Sequence, residues 1–172
     1  MKYLIWLLMM PLLILAQPVH DMTVGNWQTT TQSVSQNKTR VIEKESLWLK
    51  ADHSFEIIIL VNLKKGEHFI KDLEVKASGI WKRYNTTLVV VINKIEVPFA
   101  KEVSRTITQR SLEALAGTYQ ARLKETPIRI YTITYLDDKK LTIVNEKQVS
   151  TTYTKYIAPP PTQKRPKLPT VK

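Results

Sequence analysis

A cation and a phenol two residues apart are the best candidates for ligand recognition in this chain. Arg129 and Tyr131 fall on one face of the alternating stretch 128–136, because side chains two positions apart on a strand point the same way. A guanidinium beside a phenol offers good hydrogen-bond donors to a carboxylate. Lys71, which interrupts another apolar face, is a second candidate anchor. The alternative is that Arg129 and Lys71 are surface charges, since an unpaired charge facing inward is costly.

One triplet, Asp52-His53-Ser54, contains the residue types of a catalytic triad. Three consecutive residues in a turn cannot adopt the triad geometry together, so a tight turn is the better interpretation. The chain has no cysteine, and its three histidines are scattered over different segments. We therefore predict neither a nucleophilic enzyme nor a metal site.

Two carboxylate pairs could in principle perform acid and base chemistry. Asp137 and Asp138 lie in a turn sequence, and Glu43 and Glu45 lie in a predicted strand. Nothing near either pair in the sequence predicts that the two pKa values are pushed apart. We interpret them as turn and surface carboxylates, and we predict no enzymatic activity and no cofactor.

Strict alternation of apolar and polar residues dominates the elements that would position these groups. Residues 55–63 and 69–81 read as two antiparallel, half-buried strands joined by the turn sequence 64–67. If their apolar faces point inward, they line a small-molecule pocket together with the strand that carries Arg129. The predicted lining residues are Phe55, Ile57, Ile59, Val61, Phe69, Lys71, Leu73, Val75, Arg129, Tyr131 and Ile133.

Further alternating runs bring the number of predicted strands to about nine. They cover residues 28–34, 40–49, 87–97, 100–107, 128–136, 141–145 and 149–157. The one helical pattern covers residues 109–123, after the capping candidates Thr108 and Ser111. Residues 57–61 and 88–92 are apolar on both faces, so we expect the helix to cover them from outside the sheet. The pattern predicts a mainly β protein, an antiparallel up-and-down barrel of about 8–9 strands, with a β-sandwich as the alternative.

A Gly-x-Trp motif occurs twice, as Gly25-Asn26-Trp27 and as Gly79-Ile80-Trp81. Glycine lets two backbones approach closely, and a neighbouring indole can then plug a barrel end. The motif resembles the first-strand signature of the lipocalins and the wider calycin group, which implies an antiparallel barrel that binds small ligands. The Arg129-x-Tyr131 spacing is similar to the carboxylate anchor of intracellular fatty-acid-binding proteins, another calycin branch. The chain departs from the lipocalin pattern because strands follow its helix.

The two termini differ in composition from the body, which is predicted to be one domain, residues 17–157. Residues 1–16 have the positive start, apolar run and final Ala16 of a cleaved signal peptide. This predicts a periplasmic or secreted protein, with an uncleaved membrane anchor as the alternative. The tail 158–172 holds five of the nine prolines and four cations, and is predicted to be disordered.

The net charge of +11 suits an exported protein that meets anionic membrane or cell-envelope surfaces rather than nucleic acid, although it also simply favours solubility. These observations predict an exported protein that carries or sequesters a small hydrophobic or amphiphilic ligand, an anionic lipid among the candidates. The same inner residues could instead fill a solid barrel, since eight strands leave room for either. That alternative is an interaction protein that docks on an anionic envelope component or inhibits an exported enzyme. The sequence leaves the oligomeric state open.

Overall fold

The computed structural model describes residues 21–97 and 100–156. The predicted signal peptide and the basic tail lie outside these residues. The elements are β1 (Gly25–Val34), β2 (Arg40–Leu49), β3 (Ser54–Lys65), β4 (His68–Tyr84), β5 (Thr87–Glu96), β6 (Glu102–Val103), α1 (Gln109–Glu125), β7 (Ile128–Leu136), β8 (Lys140–Asn145) and β9 (Ser150–Lys155).

The strands form one antiparallel sheet that closes on itself. Its order is β3-β2-β1-β9-β8-β7-β5-β4-β6, and an additional β3–β4 pairing joins the two sides. Eight strands therefore make a closed barrel, while β6 pairs with β4 outside this ring. The predicted up-and-down barrel is confirmed, and the β-sandwich alternative is wrong, because closure leaves no separate second sheet.

Most element boundaries agree with the sequence patterns. The predicted bounds of β2 and β7 are confirmed, and α1 begins at Gln109 after Thr108, whose side chain accepts a hydrogen bond from the Ser111 backbone N–H. The predicted strand over residues 100–107 is wrong in extent, because only Glu102–Val103 pairs with β4. The Ser104 backbone N–H still donates to the Phe69 carbonyl, but the chain turns at residues 105–107 to reach the cap of α1, and the pairing with β4 ends there.

A bulge in β4 changes which side chains face the interior. Val61 pairs with Leu73, but Leu63 pairs with Ile70, so β4 holds one extra residue between these pairs. The extra residue is accommodated at Asp72, whose φ is 52° and whose backbone N–H donates a 2.9 Å hydrogen bond to Asn62 Oδ1. The alternation therefore reverses before residue 72. Ile70, not its two neighbours, takes the inner position.

The interior contains two apolar clusters. The closed-end cluster surrounds the two motif tryptophans, and backbone carbonyls of the turns at residues 50–53 and 85–86 accept hydrogen bonds from its members Trp81 and Ile133. The helix-end cluster gathers inner residues of β3, β4 and β5 against α1, including Val61, Val75 and Leu123. The prediction that the helix covers the sheet from outside is wrong, because α1 packs against inner-face residues and so covers the opposite end of the barrel.

The outer face of residues 57–61 is shielded by side chains of the neighbouring strand. Ile58 and Leu60 are half-buried, and their cross-strand neighbours on β4 are Lys76 and Glu74. Side chains directly opposite each other on antiparallel strands are in contact range. Long charged side chains bury their aliphatic stems on apolar surface while keeping their charge in water, so no helix is needed there.

Candidate ligand site inside the barrel

The closed end of the barrel is filled by both motif tryptophans. Trp27 is fully buried and Trp81 is nearly so. The indole N–H of Trp27 donates a 2.7 Å hydrogen bond to the Thr23 carbonyl, and that of Trp81 donates a 3.0 Å bond to the Lys50 carbonyl. Both rings belong to the closed-end cluster, so they plug the same end, and their polar atoms are satisfied.

The motif glycines allow close contacts at this end. A Cβ on Gly79 would lie 1.9 Å from the Val91 carbonyl oxygen and 2.9 Å from Phe55 Cε1. Gly79 also marks a register shift between β4 and β5. Gly25 has a φ of 152°, and a Cβ there would lie 2.5 Å from Lys155 Cε. The Lys155 ammonium in turn lies 5.0 Å from the centroid of the Trp27 ring, within range of a cation–π interaction.

An ion pair ties the segment before β1 to this end. Arg83 Nη1 lies 3.1 Å from Asp21 Oδ1 and donates a 2.9 Å hydrogen bond to Thr23 Oγ1. Burial raises the pKa of Asp21, but hydrogen bonds from Thr23 and the charge of Arg83 outweigh it and hold that pKa below its usual value. The carboxylate therefore stays charged, and the end opposite α1 is closed by packing, hydrogen bonds and charge.

The helix end is lined differently, because many half-buried aliphatic side chains surround its few fully buried ones. Among the half-buried side chains are Ile57 and Ile59 on β3, Val41 on β2 and Ile92 on β5, all packed against the helix-end cluster. The helix itself fully buries only Leu123. More side chains beneath α1 than around the tryptophans are therefore still partly accessible to solvent.

A hydrogen-bonded polar group lies on the inner wall between these regions. Tyr153 on β9 donates a 2.6 Å hydrogen bond to Glu45 Oε1 on β2. Arg129 is on β7, which is four strands from β2 in either direction around the barrel. In an eight-stranded barrel that places it on the opposite wall, from which its charge reaches both Glu45 and Tyr153.

A second carboxylate links the inner wall to the helix. Tyr119 on α1 donates a 2.9 Å hydrogen bond to Glu43 Oε1. Glu43 and Glu45 share the inner face of β2 with the buried Leu47, about 6 to 7 Å apart along the strand. Their partners on β1 are Thr31 and Thr29. Because Thr31 is exposed, the wall beside Glu43 is open to solvent at this end.

The protonation equilibria of this polar group follow from its burial. Burial raises the pKa of Glu45, while the Tyr153 hydrogen bond and Arg129 oppose the rise and Glu43 adds to it. Burial, then the charge of Glu45 and its hydrogen bond, raise the pKa of Tyr153 well above its usual value. Burial and then Glu43 likewise raise the pKa of Tyr119. Both phenols therefore stay protonated and act as donors to the carboxylates.

The structure brings together only part of the predicted lining. Phe55, Tyr131 and Ile133 lie in or against the closed-end cluster. The other predicted aliphatic residues lie in or against the helix-end cluster; they are Ile57, Ile59, Val61, Leu73 and Val75. The prediction that Lys71 faces inward is wrong, because it is exposed and lies 3.5 Å from Glu102. Phe69 shares that outer face for the same reason, the bulge at Asp72.

Four inner polar residues were missed or misread in the sequence. The interpretation of Glu43 and Glu45 as surface carboxylates is wrong, and Tyr119 and Tyr153 were not predicted to contact them. The sequence does contain a signal for their position. Both glutamates are an even number of residues from Leu47 and Leu49, so they lie on the same face of the strand as these apolar residues. The outward alternative for Arg129 is also wrong. Arg129 is half-buried and lies on the inner face of β7 with the buried Ile133. Its Nε also donates a 3.4 Å hydrogen bond to the Thr126 carbonyl.

The remaining polar candidates have structural roles. The Asp52 carboxylate accepts hydrogen bonds from the Ser54 backbone N–H at 2.9 Å and the Ser54 hydroxyl at 2.7 Å. The His53 ring packs edge-on against Trp81. Asp137 accepts hydrogen bonds from the backbone N–H groups of Lys139 and Lys140. The predicted turns at both sites are confirmed.

Two pockets lie on the barrel surface. One of about 250 Å³ spans β3, β4 and β5 and is lined by two glutamates and two lysines among its eight residues. The other, of about 240 Å³, lies over β7 and β8. Within residues 21–97 and 100–156, no three His, Cys, Asp or Glu side chains gather as a metal site would require. In the same residues, no helix is long and apolar enough to cross a membrane.

No protein-family model matches the chain, and a search of the curated proteins finds no match.

Proposed function

We propose that the protein is an exported, calycin-like binding protein that holds a small hydrophobic or amphiphilic ligand inside the barrel, beneath α1. The observation that carries this proposal is the contrast between the two ends. Most side chains of the tryptophan end are almost fully buried, whereas many of the inner aliphatic side chains beneath α1, among them Val41 and Ile59, remain half-buried beside the buried Val61 and Val75. An apolar wall with a few polar groups is the composition expected of a ligand site.

Helix α1 is suited to act as the cover of this site. Thr108 caps its N-terminus and Pro127 follows its C-terminus, so it is a bounded element between two loops. Apart from the buried Leu123, it reaches the barrel through half-buried side chains and the Tyr119 hydrogen bond to Glu43. Elements with few buried contacts open at low free-energy cost, so ligand entry beside α1 requires little of the barrel to unfold.

The proposed compartment depends on the leader. Its positive start, apolar run and small residue at position 16 are the parts of a cleavable signal peptide. Sequencing the N-terminus of the protein recovered from the periplasm or medium of its own host should give Gln17 as the first residue. Recovery of the chain with its leader intact would contradict the cleavage.

Binding can be tested with the neutral fluorescent probe N-phenyl-1-naphthylamine. Purified protein should enhance its fluorescence saturably, at a stoichiometry near one. Ile59→Trp places an indole on the half-buried inner wall and should weaken probe binding at least tenfold. Leu60→Trp is the matched control, because the neighbouring side chain is equally half-buried but faces outward, and it should bind as the wild type does. Absence of saturable binding to the folded wild type would refute the proposal.

One observation favours the alternative, an interaction protein with a solid barrel. Ile80, Ile128 and Ile130 are exposed large apolar residues on the outer face, and their strands adjoin through Val89 and Val91 of β5. Contiguous apolar surface on a soluble protein commonly marks an interaction site.

That alternative predicts binding to anionic envelope lipids through the outer surface. Ile128→Ser combined with Ile130→Ser should then abolish cosedimentation with phosphatidylglycerol vesicles at low salt. Val149→Ser, at an exposed apolar residue in the β8–β9 turn, should have no effect. Probe binding by the double variant at the wild-type level would show that any ligand site lies elsewhere, within the barrel.

A further inference from the structure

The charges on the inner wall do not favour an anionic ligand. The guanidinium of Arg129 acts on Glu45 from the opposite wall, so its charge is already offset inside the barrel. Glu43 adds a second carboxylate on the same face of β2, and Lys71, the other predicted anchor, lies outside. An anionic head group beneath α1 would therefore face two carboxylates on one wall and a single guanidinium on the other, and like charges in a partly buried site repel strongly.

Glu43 is the acceptor that an entering ligand can reach. It is half-buried, next to the exposed Thr31 of β1, whereas Glu45 lies deeper and is engaged by Tyr153. The hydrogen bond that Glu43 accepts comes from Tyr119 on the cover helix. Arg122, one turn further along α1, acts on Tyr119 but is itself exposed to solvent, which screens its charge.

We infer that Glu43 determines the ligand class of the proposed binding site, which takes an apolar chain with a primary ammonium head rather than a carboxylate head. This inference rests on the proposed function. The apolar chain lies against the half-buried wall of Ile57, Ile59 and Ile92, and the ammonium donates to the Glu43 carboxylate in place of the Tyr119 hydroxyl. An ammonium adds the Coulomb attraction of a full positive charge to its hydrogen bond with the carboxylate, and a hydroxyl donor lacks that attraction, so the exchange favours the ammonium over an alcohol of equal length.

The test is displacement of N-phenyl-1-naphthylamine at neutral pH by dodecylamine, dodecanol and dodecanoic acid, each below its micelle concentration. We expect the amine to displace the probe at the lowest concentration, the alcohol next and the acid last. A head group contact of this kind corresponds to roughly a ten- to hundred-fold difference in affinity. If the acid displaces the probe as well as the amine does, the inference is wrong while the proposed function stands. Absence of probe binding removes the proposed function itself.

Variants on each side of the Tyr119–Glu43 contact make the test specific. Glu43→Gln should weaken amine binding at least tenfold and leave alcohol binding within about twofold. Glu67→Gln, in the exposed β3–β4 turn, makes the same charge change away from the site and should alter neither. Tyr119→Phe removes the competing hydroxyl, so amine affinity should be retained or increased. Equal losses for amine and alcohol in Glu43→Gln, or loss of amine binding in a folded Tyr119→Phe, would overturn the inference.

Discussion

Tyr153 and Glu45 are joined across the interior of the barrel by a 2.6 Å hydrogen bond from phenol to carboxylate. Their strands are not neighbours, because β1 lies between β9 and β2 in the sheet. The contact therefore joins two non-adjacent strands through the interior and is not a cross-strand pair. It keeps a charged group inside an apolar wall, since a buried carboxylate needs hydrogen-bond donors or an opposite charge.

Tyr153→Phe should destabilise the protein by about 1 to 3 kcal/mol at neutral pH, because it leaves a buried acceptor without its donor. Chemical denaturation monitored by circular dichroism measures this loss. Tyr156→Phe is the control, since Tyr156 is exposed just beyond β9. Equal stabilities of the two variants would show that the buried hydrogen bond contributes nothing.

Glu45 should make stability fall as the pH rises. Because burial raises its folded-state pKa above the ordinary value of 4.5, the folded state holds the proton more tightly than the unfolded state does. The stabilising contribution is complete below pH 4.5 and is lost as the pH rises through the folded-state pKa. Glu45→Gln should flatten this dependence in denaturation series from pH 4 to pH 8. If the free energy of unfolding of Glu45→Gln changed with pH as steeply as that of the wild type, the prediction would be wrong.

Trp27→Ala should cost about 3 to 5 kcal/mol, the range for truncating a buried aromatic side chain. The ring is fully buried in the closed-end cluster. Trp48→Ala is a matched control in the adjacent strand, because that indole is 48% exposed, and its loss should be much smaller. Urea denaturation compares the two. A loss below about 1 kcal/mol for Trp27→Ala would mean that the indole is not the plug of this end.

Two glycine substitutions should have opposite effects on stability. Gly79→Ala would place a Cβ 1.9 Å from the Val91 carbonyl oxygen, so β4 and β5 must separate and the variant should be strongly destabilised or fail to fold. Gly117→Ala has open space around its Cβ in α1 and should stabilise the helix by about 0.5 to 1 kcal/mol. Thermal denaturation measures both. A Gly79→Ala protein of normal stability would show that the backbones are farther apart than described.

The Asp21–Arg83 pair should make the closed end sensitive to acid. The pKa of Asp21 is held below its ordinary value of 3.8, so its contribution is present above pH 3.8 and is lost as the pH falls through the lower folded-state value. Asp21→Asn should be less stable than the wild type at pH 6, and the difference should shrink as the pH falls below 3.8. Because both side chains are about one-third exposed, the difference should shrink at high salt. A difference that does not change between pH 6 and acidic pH would point to a role other than charge.

Local residue patterns predicted most of the strands and the helix, and they favoured a barrel without excluding a β-sandwich. The alternation of apolar and polar residues predicted where β2 and β7 begin and end, and the capping residue Thr108 predicted where α1 begins. The turns at Asp52 and Asp137 were predictable because these carboxylates accept hydrogen bonds from nearby backbone N–H groups. These features depend on neighbours within a few residues. The close approach at Gly79 was also predictable, since glycine was the only residue type that such a contact admits.

The interior was decided only by tertiary structure. One extra residue at the Asp72 bulge reversed the alternation and put Ile70 inside and Lys71 outside, an event that the sequence pattern does not mark. Closure of β3 on β4 brought Arg129 opposite Glu45, and placed Tyr119 and Tyr153 beside carboxylates 76 and 108 residues away in the chain. A side chain's charge partner in a closed barrel depends on strand order and shear rather than on its own segment. The sequence alone therefore determined most of the strands that form the barrel wall. The tertiary structure decided which polar side chains meet inside that wall.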